Sequence, residues 1–187
     1  MSEGLPRIDE TQRVSAPALP GADESVRARG RGLAAIHAAY LQEVGQIEQV
    51  LDAIDGGSTA PAALMAHLAG LGFAENLRLF GNLCGRQCQV LGMHHAIEER
   101  MMFPGIEARA GAPLVPLITQ LRREHEVVHD LLGRLEEAAR ALVDRPDPRR
   151  MRDCRRVFEA LAAAIRSHFK YEETELEGAL GLYPEVL

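Results

Sequence analysis

Apolar positions recur along this chain at spacings of three and four, the period of helices that bury one face. In the first such segment, from about Arg31 to Ile54, Leu33, His37, Tyr40, Val44, Ile47, Leu51 and Ile54 share a stripe that Asp55-Gly56-Gly57 ends. A short connector helix is expected after Ser58 or Thr59, where Pro61 suits a first turn and AALMAHLAGL leads to Gly72. The second long helix is expected from about Phe73 to Phe103, with Leu77, Phe80, Leu83, Gln87, Val90, His94, Glu98 and Met101 in register and Pro104-Gly105 as its break. A third runs from about Pro113 to Leu142 on Leu114, Ile118, Leu121, His125, Val128, Leu132, Leu135, Ala139 and Leu142. A fourth spans about Arg149 to Leu180 on Cys154, Val157, Leu161, Ile165, His168, Glu172, Leu176 and Ala179. Helices of roughly 24 to 32 residues are about 36 to 48 Å long. Short later connections make neighbours antiparallel, which predicts an all-α, up-down-up-down four-helix bundle.

Composition supports helix over strand: Ala, Leu, Glu and Arg dominate the long segments, aromatic residues are 4% and tryptophan is absent. The length of 187 residues suggests one domain, and 47% hydrophobic with 26% charged residues excludes a disordered chain. Residues 1–28, rich in Gly, Pro, Ser and charge, are expected to be a disordered N-terminal tail ahead of a bundle over residues 29–182. A net charge of −6 without a basic stripe argues against nucleic acid as partner. No apolar run approaches the ~18 residues of a membrane span, so no membrane partner is expected. The odd set Cys84, Cys88 and Cys154 points to a reducing compartment, and residues 1–28 lack the apolar core of a secretory signal, so a cytoplasmic location is expected.

Against this pattern, each long helix places histidine, or a histidine with a second ligand-type residue four positions on, where an apolar residue belongs. The residues are His37, then His94 and Glu98, then His125 and His129, then His168 and Glu172. A spacing of four puts both members of a pair on one helix face. Singly, each is readily explained as a packed or boundary residue. Together, five imidazoles and two carboxylates would carry a desolvation penalty of several kcal/mol per ionised group, which a bound cation removes. Cys84 and Cys88 fall off the stripe, which disfavours a thiolate zinc site. Imidazole mixed with carboxylate suits iron or manganese, and seven ligands suit two ions rather than one. His95 and Glu99 offer the same spacing one residue along; His94 and Glu98 continue the apolar stripe and are preferred.

The order H…HxxxE…HxxxH…HxxxE, with EERMMFP closing the second helix, resembles the hemerythrin-like (HHE cation-binding) domain family over about Leu33 to Leu176. The resemblance implies a hemerythrin-like bundle around two non-haem iron ions, bridged by an oxo or hydroxo group and by Glu98 and Glu172. It implies that His125, His129 and His168 complete one iron, and that His37 and His94 hold the other, with one position open for O2. The oxygen carriers of the family have Asp one residue later where this chain has Glu172, which places simple O2 carriage in question.

Around the site, Tyr40 and Tyr171 are candidates to hydrogen-bond a carboxylate or a bound ligand, or to pack as aromatics, and Glu124, Glu126 or Gln87 to accept from ligand histidines. His67 is expected in the connector, away from the site. Cys84 and Cys88 read as packing residues, with a thiol sensor as the other reading. Met93, Met101 and Met102 are expected as core fillers along the ligand's entry path. Gly81, Gly85 and Gly92 mark either close helix approach or an exposed face. The expected function is a di-iron protein that binds O2 or NO for storage, delivery or sensing. The alternatives are a peroxide- or NO-consuming redox enzyme and an iron- or redox-responsive regulator.

Overall fold

The structure, a computed structural model, describes residues 4–55, 86–145 and 147–186. The expected connector helix, the start of the second long helix, His67, Cys84, Gly81 and Gly85 lie outside the described residues. Six α-helices are described: α1 (Glu24–Gly30), α2 (Gly32–Asp55), α3 (Arg86–Ile97), α4 (Phe103–Ala110), α5 (Val115–Asp144) and α6 (Pro148–Leu182). Among the described residues there is no strand, and no helix is long and apolar enough to cross a membrane.

The helices alternate in direction. The α5–α6 turn is tight because the Asp147 side chain caps α6, accepting from the backbone N–H groups of Arg149 and Arg150 at 2.8 and 3.0 Å. Leu142 and Met151 share a core cluster beside this turn, while His125 and His168 meet farther along the same pair. Across α2 and α3, His37 meets His94 and the Tyr40 hydroxyl donates to Val90 O. Ion pairs from Arg31 to Glu177 and from Glu48 to Arg166 run α2 antiparallel to α6. The result is the up-down-up-down bundle predicted from the periodicity.

Two apolar clusters fill the bundle. One contains Val44, Leu51, Leu91, Val128, Leu135 and Ile165; the other contains Leu33, Met102, Phe103, Leu121 and Leu176. Each long helical run crosses from one cluster to the other, and the buried polar residues sit at the crossing: His37 on α2, His95 and Glu98 at the end of α3, Glu124 and His125 on α5, His168 and Glu172 on α6.

Three expectations are corrected. Pro104 does not end the second helix. A π-helical turn, Glu98–Met102, precedes it, with the Phe103 N–H donating to Glu98 O, and α4 then continues to Ala110. Proline has no N–H and its ring presses on the carbonyl four residues back, here Arg100; the wider turn makes room. Gly111, at φ 73°, ends the run instead. Within that turn Met102 is 2% exposed and Met101 is 67% exposed, so the predicted stripe residue faces outward. Met93 is exposed as well, and Gly92 faces open space rather than a neighbouring helix.

The third correction concerns the amino terminus. Residues 4–30 lie against the bundle rather than loose. Asp9 caps a 3-10 turn at Glu10–Gln12, and Asp23 caps α1. Helix α1 packs so closely on α6 that a Cβ on Gly30 would lie 1.8 Å from Glu177 O, and one on Gly181 would lie 1.9 Å from Val26 O. Composition did not foreshadow this, because the segment's few apolar contacts, Leu5 and Ile8 on one core cluster and Ala16 and Leu19 on the other, follow no helical period, and it is tied further by backbone hydrogen bonds to α6 side chains, Val14 to Tyr171 and Ala16 to Glu175.

Candidate metal centre

Inside the bundle, two groups of ligand-type side chains converge. His37, His94, Glu98 and Glu172 form one and His95, His125 and His168 the other; in each, one donor atom per residue lies within 4.8 Å of all the others. Six of the seven residues singled out from the sequence are in these groups. His129 is not: it lies exposed on the flank of α5, while Val128 takes the inward place. The additional member is His95, fully buried, with its ring stacked 4.0 Å from His125 and edge-on to His129 at 5.2 Å. His94 and His95 are thus not alternative registers. Neighbouring residues on a helix point about 100° apart, so the seam between them faces the bundle axis and each ring enters a different group.

The two carboxylates connect the groups. Glu98 Oε1 lies 2.8 Å from His94 Nε2, and its Oε2 lies 3.4 Å from His125 Nε2. Glu172 Oε2 lies 3.5 Å from His37 Nε2 and 3.8 Å from His168 Nε2. Each carboxylate therefore spans from one histidine group to the other.

The imidazoles are oriented from behind. The Nδ1–H of His37 donates to Glu173 Oε1 at 2.9 Å, that of His125 to Glu99 Oε1 at 2.9 Å, and that of His168 to Glu124 Oε2 at 3.2 Å. Of the acceptors weighed from the sequence, Glu124 serves; Glu126 is exposed, and the side chain of Gln87 is not among those described. Glu99 and Glu173 were not singled out for this role. Their signal is the doubled acid at Glu98-Glu99 and Glu172-Glu173, in which the first residue faces the centre and the second turns to a histidine of the neighbouring helix. Flat stacking fixes the rings further: His37 lies 3.7 Å from Phe169 at 3°, and His125 is flanked by Phe103 at 5.5 Å.

The donor set fits a cation. Because Glu99 and Glu124 take the Nδ1 protons of His125 and His168, both Nε2 atoms present lone pairs, yet they face each other at 3.1 Å. His37 Nε2 and His94 Nε2 stand 3.0 Å apart. Ligands at right angles on an ion with bonds of about 2.1 Å are about 3.0 Å apart, against about 3.4 Å for tetrahedral ligands. Both nitrogens of His95 and all four oxygens of Glu98 and Glu172 are buried without a hydrogen-bond partner. Such orphaned atoms call for a ligand.

Electrostatics agree. Burial, followed by neighbouring imidazoles, pulls His37 and His125 down to about 2; burial pulls His94 down to about 4, and His95 and His168 are also lowered. Burial pushes Glu98 up to about 8, helped by Glu99, and Glu172 well above the carboxylate range. These shifts hold the imidazoles neutral and the carboxylates protonated; a bound cation inverts the second preference.

Neither tyrosine offers a free hydroxyl to the centre: Tyr40 donates to Val90 O, and Tyr171 bonds both backbone groups of Val14. Cys154 is buried with its thiol pushed up to about 12 by that burial, which leaves it inert. Neither the curated proteins nor the solved structures include a match to the chain. The sequence does match the family described as hemerythrin HHE cation binding domain over residues 30–180. With that match covering most of the chain and a histidine–glutamate cluster able to hold metal inside a four-helix bundle, the chain belongs to the hemerythrin HHE cation-binding family.

Proposed function

We propose that the centre holds two iron ions bridged by Glu98 and Glu172, and that it binds O2 or NO for storage, delivery or sensing. The observation that carries this reading is the pair of carboxylates reaching from one histidine group to the other, which suits two neighbouring ions and not one. In this assignment His95, His125 and His168 serve one ion and His37 and His94 the other. The mixture of imidazole and carboxylate favours iron or manganese over zinc or calcium. Iron supplies a redox-active ion with room for an exogenous ligand on its two-histidine side.

The chain's own residues restrict what enters. His37, Glu98 and Glu172 are at most 2% exposed and His94 is 10% exposed, so access is limited to small molecules. Phe169 and Phe103 cover one face of the His37 and His125 rings. Glu173, Glu99 and Glu124 hold the rings in the tautomer that turns Nε2 inward. Tyr40 and Tyr171 direct their hydroxyl protons to backbone carbonyls, Val90 O and Val14 O, rather than to the centre, which favours reversible binding over a peroxide- or NO-consuming reaction. A cytoplasmic setting belongs to the proposal, since the odd cysteine count suits a reducing compartment.

Iron per chain, measured with the visible spectrum of reduced protein mixed with air, tests this. About two irons and a long-lived charge-transfer band that disappears on deoxygenation are expected. Rapid bleaching to the ferric form, with catalytic peroxide consumption, would assign an enzyme instead. A chain that takes up no iron would end the di-iron reading.

A further inference from the structure

The amino-terminal segment reaches the centre from outside the bundle. Arg13 enters beside α5 and α6 with its guanidinium carbon 4.5 Å from the Tyr171 ring centroid. Its Nε donates to Glu124 Oε1 at 2.8 Å; its Nη2 donates to Glu124 Oε2 at 3.0 Å and to Ser167 Oγ at 2.9 Å. Glu124 is 1% exposed, and the oxygen that receives Nη2 also accepts from His168 Nδ1. Gln120 completes the carboxylate's contacts at 3.3 Å. The flanking strap has backbone anchors besides the arginine. Val14 N–H donates to the Tyr171 hydroxyl at 3.1 Å, that hydroxyl donates to Val14 O at 2.7 Å, and Ala16 N–H donates to Glu175 at 2.5 Å.

A buried carboxylate that loses its cationic partner is an uncompensated charge, and it relieves that cost by turning toward water. That movement removes the fixed acceptor behind His168. The partner here comes from a segment 111 residues away in sequence that the family match, beginning at residue 30, does not include.

We propose that Arg13 is a positioning residue for the metal centre, and that docking of the amino-terminal strap and metal occupancy reinforce each other through the chain Arg13–Glu124–His168. The inference rests on the assignment of His168 as a metal ligand. Coupling of this kind is reciprocal: whatever the docked strap adds to metal affinity, bound metal adds to docking of the strap.

Two measurements on the full chain test it. In the first, iron(II)-loaded protein is mixed with an excess of a chelating dye. Arg13→Ala is expected to release iron about tenfold faster than wild type, the low end for an outer partner of a ligand. Arg13→Lys, which keeps the charge without the two-pronged fork, is expected to fall between. Leu142→Ala, in the far core cluster, controls for lost stability and is expected to melt earlier while releasing iron at the wild-type rate. The second measurement needs no variant: amide exchange in residues 10–17 of wild type is expected to be slower with iron than without. Release from Arg13→Ala within about twofold of wild type, or strap exchange indifferent to iron, overturns the inference. Should Arg13→Ala fail to fold, Arg13→Lys and the exchange comparison decide. Failure of the underlying assignment shows separately, as wild-type protein that takes up no iron before any variant is made, and it takes this inference with it.

Discussion

The inner nitrogens of His125 and His168 face each other because their outer nitrogens are committed to Glu99 and Glu124. His95 has no such commitment, since both its nitrogens are orphaned in a fully buried ring, and this makes it the sharpest test of the ligand assignment. His95→Ala is expected to retain about half of the wild-type iron, because the group of His37, His94, Glu98 and Glu172 keeps its four donors. His129→Ala, which alters an exposed ring, is expected to retain the full content. Metal analysis after gel filtration reads both, and the reverse pattern would restore His129 in place of His95. Periodicity made His37, His94, Glu98, His125, His168 and Glu172 legible in the sequence, because each interrupts an apolar stripe. At His129 a spacing of four from His125 satisfies the motif, whereas the structure leaves that ring exposed and outside both groups, with Val128 buried beside it. Periodicity treated His94 and His95 as rivals because a single stripe admits one of two neighbours, whereas a helix facing two adjacent groups uses both.

At the scale of elements, the turn between Asp144 and Pro148 was readable from local chemistry alone, and α5 ends at Asp144 and α6 begins at Pro148 accordingly; the end expected at Gly56-Gly57 lies outside the described residues. The π turn was not readable. Pro104 announces a disturbance, but whether a helix stops or widens there depends on what packs beyond it, and Phe103 and Ile106 are fully buried. Docking of α1 was equally hidden, because it depends on Gly30 and Gly181 meeting backbone 147 to 155 residues away in the chain, at Glu177 and Val26. Gly181→Ala would drive a methyl group into the Val26 carbonyl, an overpacking that costs about 1–3 kcal/mol or more when only backbone can yield. The cheapest relief is release of the short helix. Amide exchange in residues 24–30 is therefore expected to rise sharply in Gly181→Ala, while iron content stays at the wild-type level. Unchanged protection would mean that α6 bends to absorb the methyl group.

At the scale of the molecule, the centre interrupts the core: apolar clusters close it off on both sides along the bundle axis. This explains how so many polar groups are tolerated at one level. Each cluster joins residues from α2, α5 and α6, so the helices are bound together above and below the centre whether or not it holds metal. Metal-free protein accordingly keeps its helical content, with neutral imidazoles and protonated carboxylates in the middle, and gains stability on loading in proportion to the ion's affinity. Metal at a thousandfold excess over its Kd stabilises by about 4 kcal/mol, and each kcal/mol moves Tm by about 2–4 °C in a chain of this size. Loading is expected to raise Tm by roughly 8–16 °C on that arithmetic, with little change in helical circular dichroism. A metal-free chain without helical signal would instead make the ion a requirement for folding and favour the iron-responsive regulator. An unchanged Tm would show that the converging side chains hold no ion, because nothing that binds the folded state alone can leave its stability untouched.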